Sequence, residues 1–80
     1  MNIYLISQDE NNDYDTYDSV IVVAENNKEA VKIHPDGDDA EWDRRYSTWA
    51  SSPSKVSAAL IGKASDDIQP GVVLASFNAG

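Results

Sequence analysis

DSVIVVAENNKEAVKIHP, residues 18 to 35, sets a strand signal directly before a helix signal, and the rest of the chain is arranged around that unit. Ser19 to Ala24 is a β-branched run, too short for a buried helix and of the right length for a strand buried on both faces. The period then changes. Asn26 is placed to accept a hydrogen bond from the free amides of the next turn, and Glu29, three residues on, to reach back and close a capping box. Ala30, Val31 and Ile33 fall within one arc of a helix, with Lys28 and Lys32 towards solvent. His34-Pro35 closes it, because a residue before proline is pushed out of the helical region.

Working outward, Asn2 to Ser7 reads as a first strand with apolar residues on both faces, Ile3 and Leu5 against Tyr4 and Ile6. QDENNDYDTY, residues 8 to 17, is dense in turn formers and joins that strand to the central one as a long hairpin loop. Tyr14 and Tyr17 are able to extend either strand into it. Beyond the helix, DGDDAEWDRR, residues 36 to 45, is a second acidic loop that opens a short helical turn around Ala40 to Tyr46. Trp42, Tyr46 and Trp49 would share one side of that turn. Ser51-Ser52-Pro53-Ser54 is a break. Lys55 to Ala64 is a third strand, with Gly62 marking a bulge or its end. Ser65 to Gly71 is a turn, and Val72 to Phe77 is a fourth strand.

The expected fold is α+β: one domain over residues 1 to 80, in the order β-β-α-β-β, with a four-stranded, mainly antiparallel sheet and one main helix packed on one face. A single short helix cannot cover four strands. Either the Trp42/Trp49 segment folds across the other face or a second copy of the chain does, so a homodimer or a partner-binding surface is expected there.

Composition narrows the class. Eighty residues bury about 60–65 % of the surface their unfolded form exposes, so stability is marginal. The chain has no cysteine, which removes disulfides, thiolate catalysis and thiolate zinc sites. No stretch approaches the roughly 20 apolar residues of a membrane span, and no basic leader precedes the first strand. The expectation is a cytoplasmic protein that does not enter a membrane. The net charge is −8, from 14 acidic against 6 basic residues. That charge disfavours direct contact with nucleic acid or anionic lipid and favours basic partners. All acidic residues but Asp66 and Asp67 lie at or before Asp43, whereas Arg44, Arg45, Lys55 and Lys63 follow it.

The residues argue against an enzyme. His34, the one histidine, closes a helix where an imidazole is favourable, and no nucleophile stands at a recognisable spacing from it. No serine sits in a Gly-x-Ser-x-Gly context, and four scattered glycines cannot form a phosphate-cradling loop. Asp9-x-Asn11-x-Asp13-x-Asp15 begins like a calcium loop. It fails at Tyr14, where the turn needs glycine, and at Val20, where the bidentate glutamate belongs. Asp36-x-Asp38 fails sooner, at Ala40. No cofactor and no metal are expected.

The carboxylates and tryptophans remain. Asp9, Glu10, Asp13, Asp15 and Asp18 form one acidic cluster, and Asp36, Asp38, Asp39, Glu41 and Asp43 form another. They read either as a solvated face or as an array that enters a basic channel and excludes nucleic acid from it. Trp42 and Trp49 read either as core or as part of the partner-binding surface.

The opening IYLISQ, the YDTYDS before the central strand, the IHP after the helix and the terminal GVVLASFNAG together resemble a group of small proteins encoded by bacteriophages and prophages. Size, acidity and lack of cysteine are also similar to anti-CRISPR proteins, several of which imitate DNA. The resemblance implies a phage-encoded inhibitor acting in the bacterial host on a defence effector, a type I CRISPR complex being the best single partner. The alternative is a structural or accessory phage protein that uses the apolar sheet face and tryptophans for assembly.

Overall fold

The computed structural model describes residues 1–12, 14–37, 40, 42 and 48–78. The two apolar runs nearest the N-terminus pair with each other: β1 (Asn2–Ser7) and β2 (Thr16–Ala24) lie antiparallel, with Tyr4 against Val22 and Ile6 against Val20. Alternation along each strand delivers those four side chains to one face, where all are buried. Val23, on the opposite face, is buried too, as a strand with apolar residues on both sides predicts. Two further strands, β3 (Ser57–Lys63) beside β1 and β4 (Gly71–Asn78) beside β2, complete a four-stranded antiparallel sheet in the order β3-β1-β2-β4.

Strand β2 starts at Thr16, three residues before the β-branched run. Its extension is held by Tyr17, which pairs with Phe77 of β4 and meets that ring edge-on at 4.9 Å. The register then shifts between Tyr17 and Ser19, leaving Asp18 as the extra residue of a bulge. In β3 the extra residue is Ile61, between the pairs Ile3–Gly62 and Tyr4–Leu60, one position before the glycine that signals it. β3 itself begins at Ser57 because Pro53–Lys55 forms a 3-10 turn first.

The helix is far shorter than the sequence predicts. Asn26 caps it by accepting from the Glu29 amide at 2.9 Å, but α1 covers only Asn27–Ala30. Beyond Ala30 the bonds tighten to three-residue spacing, Lys32 N–H to Glu29 O and Ile33 N–H to Ala30 O. Two β-branched residues and a coming proline give the chain little reason to continue. The Glu29 carboxylate pairs with Lys32 at 3.6 Å. The predicted helical turn at residues 40 to 46 falls largely outside the described residues.

A four-residue helix cannot cover the sheet, and irregular chain does the work. Trp49, Ala50 and Val56 join Ala30 over Tyr4, Ile6, Val20, Val22 and Ala24, with Val31, Ile33 and Trp42 packed around them. Trp49 is fully buried. An aromatic of this size buries about 150–250 Å², an upper bound of about 4–6 kcal/mol of hydrophobic stabilisation. Of the two expected covers for the opposite face, the Trp42/Trp49 segment is therefore corrected: both rings lie on the helix side. The opposite face keeps Leu5, Ala59 and Leu74 exposed. Among the described residues no helix is long and apolar enough to cross a membrane.

Candidate functional site

Tyr17, at the end of the first acidic stretch, and Asp36, the first residue of the second, meet at one end of the sheet. The Tyr17 hydroxyl donates to Asp36 Oδ1 at 2.9 Å, and the Thr48 hydroxyl makes a short bond to Asp36 Oδ2. The Asp36 amide donates to His34 Nδ1 at 3.1 Å. Gly37 follows with φ 109°, a conformation glycine adopts without strain, and its amide closes a turn onto His34 O.

The first loop is fastened to the same segment from the other side. Glu10 accepts from the Ser51 amide at 2.7 Å and from the Ser51 hydroxyl at 3.1 Å. Asn11 donates its side-chain amide to Trp49 O, and Tyr17 N–H donates to Thr48 O. Inside the loop the buried Gln8 donates to Asn11 O and Tyr17 O while accepting from the Asn11 amide. A buried amide that satisfies three backbone groups fixes a loop otherwise made of turn residues.

The electrostatics follow from these contacts. His34 Nδ1 is an acceptor, so the ring is neutral with its proton on Nε2, which is buried and lacks a hydrogen-bond partner among the described residues. The Trp42 ring stands edge-on to it at 5.0 Å. Burial pushes the imidazole below its ordinary pKa, and the nearby Asp36 charge opposes that shift. The Tyr17 phenol is pushed above its ordinary value by its hydrogen bond to Asp36, then by burial and by the Asp36 charge.

The sequence-derived site residues thus divide. Asp9, Asp15 and Asp18 are exposed at this end, Asp15 in a left-handed conformation (φ 63°) that aspartate tolerates better than most residues. Neither Asp9 nor Asp18 has an ion-pair partner among the described residues. Glu10 and Asp36 also lie here, but both carboxylates are committed to internal hydrogen bonds. Asp13, Asp38, Asp39, Glu41 and Asp43 lie outside the described residues. Trp49 is wholly buried and Trp42 packs against the core, so the assignment of Trp49 to a partner surface is corrected and Trp42 is at most its margin. Sequence reading missed Gln8, Tyr17, Thr48 and Ser51 as the fasteners, since no local spacing links them.

Among the described residues no group of three His, Cys, Asp or Glu side chains is placed to hold a metal ion. A shallow depression of about 180 Å³ lies between Met1, Ala24, Glu25, Glu29, Ile33 and Pro70. Its carboxylates face no histidine, serine or lysine in that lining. No family model, no curated protein and no solved structure matches this chain.

Proposed function

We propose that this chain is a non-enzymatic binding protein that presents its acidic end to a basic, nucleic-acid-binding surface and so excludes nucleic acid from it. The observation that carries the reading is the bridge from Tyr17 through Asp36 to Thr48, which brings Asp36 to the end of the sheet where Asp9, Asp15 and Asp18 are exposed. Duplex DNA displays about one charge per 1.7 Å of axis, and a cationic groove accepts any rigid array of comparable density. A loop fastened in place loses less entropy on docking than a mobile one. The phage-like strings at both ends of the chain suggest the setting, a host defence effector, with a type I CRISPR complex as the first partner to test.

The experiment measures DNA binding by a purified type I effector complex with the protein present, at low and high salt. Asp9→Lys/Asp18→Lys is the variant of choice because neither side chain supports the fold, whereas reversal at Asp36 would also break the Tyr17 and Thr48 bonds. Inhibition should fall at least tenfold in the variant and weaken with salt in the wild type. Inhibition that is absent, or unchanged in the variant, removes the mimicry mechanism.

A second reading, an assembly module, is favoured by the apolar row Ala59–Leu5–Ile21–Leu74 that runs across the uncovered face of the sheet. Its binding would survive high salt and fail in Leu5→Lys.

A further inference from the structure

Among the described residues, strand β4 is an edge without the usual protection. Gly71–Asn78 contains no charged residue and no proline, although a quarter of the chain is charged. Natural edges are commonly guarded by lysine, proline or a covering loop. The opposite edge, β3, ends in Lys63.

β4 also exposes apolar groups on both of its faces. Val72 pairs with the core residue Val22 yet is 42 % exposed, and Phe77, beside Tyr17, is 46 % exposed. Leu74 pairs with Ile21 on the uncovered face and is 64 % exposed. A partner lying flat on one face of the sheet would bury only one of these sets. The next strand of a continued sheet flanks both.

From these observations we propose that two copies of this chain associate through β4, antiparallel across a two-fold axis, to form one continuous eight-stranded sheet. This goes beyond the reading of the acidic end and does not depend on it.

A second copy fits better than a basic partner, because an uncharged edge gives a cationic chain nothing to recognise. Pairing β4 with itself closes after two copies, whereas β3 against β4 would leave free edges and propagate. The charges select the antiparallel arrangement. Asn78 lies at the acidic end, its carbonyl accepting from the Asp15 amide, so antiparallel strands send the two acidic ends in opposite directions. Paired over the regular stretch Leu74–Asn78, the two Asn78 residues stand about 14 Å apart, four steps of about 3.4 Å, beyond a Debye length of about 8 Å. Each copy carries a net charge of −8, which leaves some repulsion, so added salt should strengthen the pairing.

The bulge at Val73 leaves Leu74–Asn78 as the regular part of the edge. Four large side chains about half exposed, together with the strand backbone, bring the pair to on the order of 1,000 Å², the lower bound for specific association. The expected dimer is therefore weak, with a Kd in the micromolar range.

Sedimentation velocity on the full chain from about 1 to 500 μM, at low and high salt, tests this. The dimer fraction should rise with concentration and with salt, disappear in Leu74→Lys, and persist in Leu5→Lys, with circular dichroism checking that both variants remain folded. Concentration-dependent slowing of amide exchange along β4 gives a second readout in the unmodified protein. A monomer throughout the range overturns the proposal, and so does a dimer abolished by Leu5→Lys, which would place the contact on the open face. Either result leaves salt-weakened inhibition of a basic partner to be judged separately.

Discussion

Replacing Asp36 with alanine should release the turn after His34 from Tyr17 and Thr48. The carboxylate accepts from Tyr17 and Thr48, and so ties both to the turn after His34. A hydrogen bond to a charged group contributes about 1.5–3 kcal/mol when buried. Asp36 is exposed, so water recovers much of that, and about 2 kcal/mol for the two bonds together is the expected loss. In a domain of this size that lowers Tm by roughly 8–16 °C. The assay is thermal unfolding of wild type, Asp36→Ala, Tyr17→Phe and the double variant. A coupling of at least about 0.5 kcal/mol is expected between the two positions. The Tyr17 phenol should also fall back towards its ordinary range in Asp36→Ala, because its largest perturbing contact is gone. Its native pKa is raised, so its contribution is full below the ordinary phenol range and fades as pH rises through the native value. A melting temperature within about 2 °C of wild type, or strict additivity of the two substitutions, would refute the bridge as the element that holds Asp36 to Tyr17 and Thr48.

Trp49→Ala should cost about 3–5 kcal/mol, most of the stability of a small domain, and be seen as loss of amide dispersion in NMR spectra; a folded variant with unchanged urea midpoint would contradict the burial of that ring. His34 is held neutral and below its ordinary pKa chiefly by burial, so its contribution is full above about pH 6.5 and is lost as pH falls towards the native value. Between about pH 7.5 and 5, wild type should therefore lose more Tm than His34→Gln, and equal losses would remove His34 as the cause.

Some of the fold was legible because it is local. The apolar residues on both faces of Asn2–Ser7 and the β-branched run within Thr16–Ala24 specify strands, and Asn26 caps the next turn through an atom three residues away. The helix length was not legible. Ala30, Val31 and Ile33 satisfy helical periodicity, yet Val31 and Ile33 pack against a core that accepts them from an irregular chain as readily as from a helix. Periodicity reports which side chains face inward, not the backbone that carries them.

By itself the sequence determined the strand content, the cap, the lack of cysteine and a strongly negative charge, since each depends on residue type or on neighbours within a turn. Only the tertiary structure decided that the tryptophans join the helix side, that Glu10 and Asp36 are internal fasteners while Asp9 and Asp18 stay free of ion pairs among the described residues, and that β4 ends the sheet uncharged. Those outcomes hang on contacts between residues dozens of positions apart, such as Glu10 with Ser51 and Tyr17 with Asp36. No short-range pattern encodes such pairs: the carboxylate that solvates a surface and the one that clasps a loop are the same residue until the chain folds.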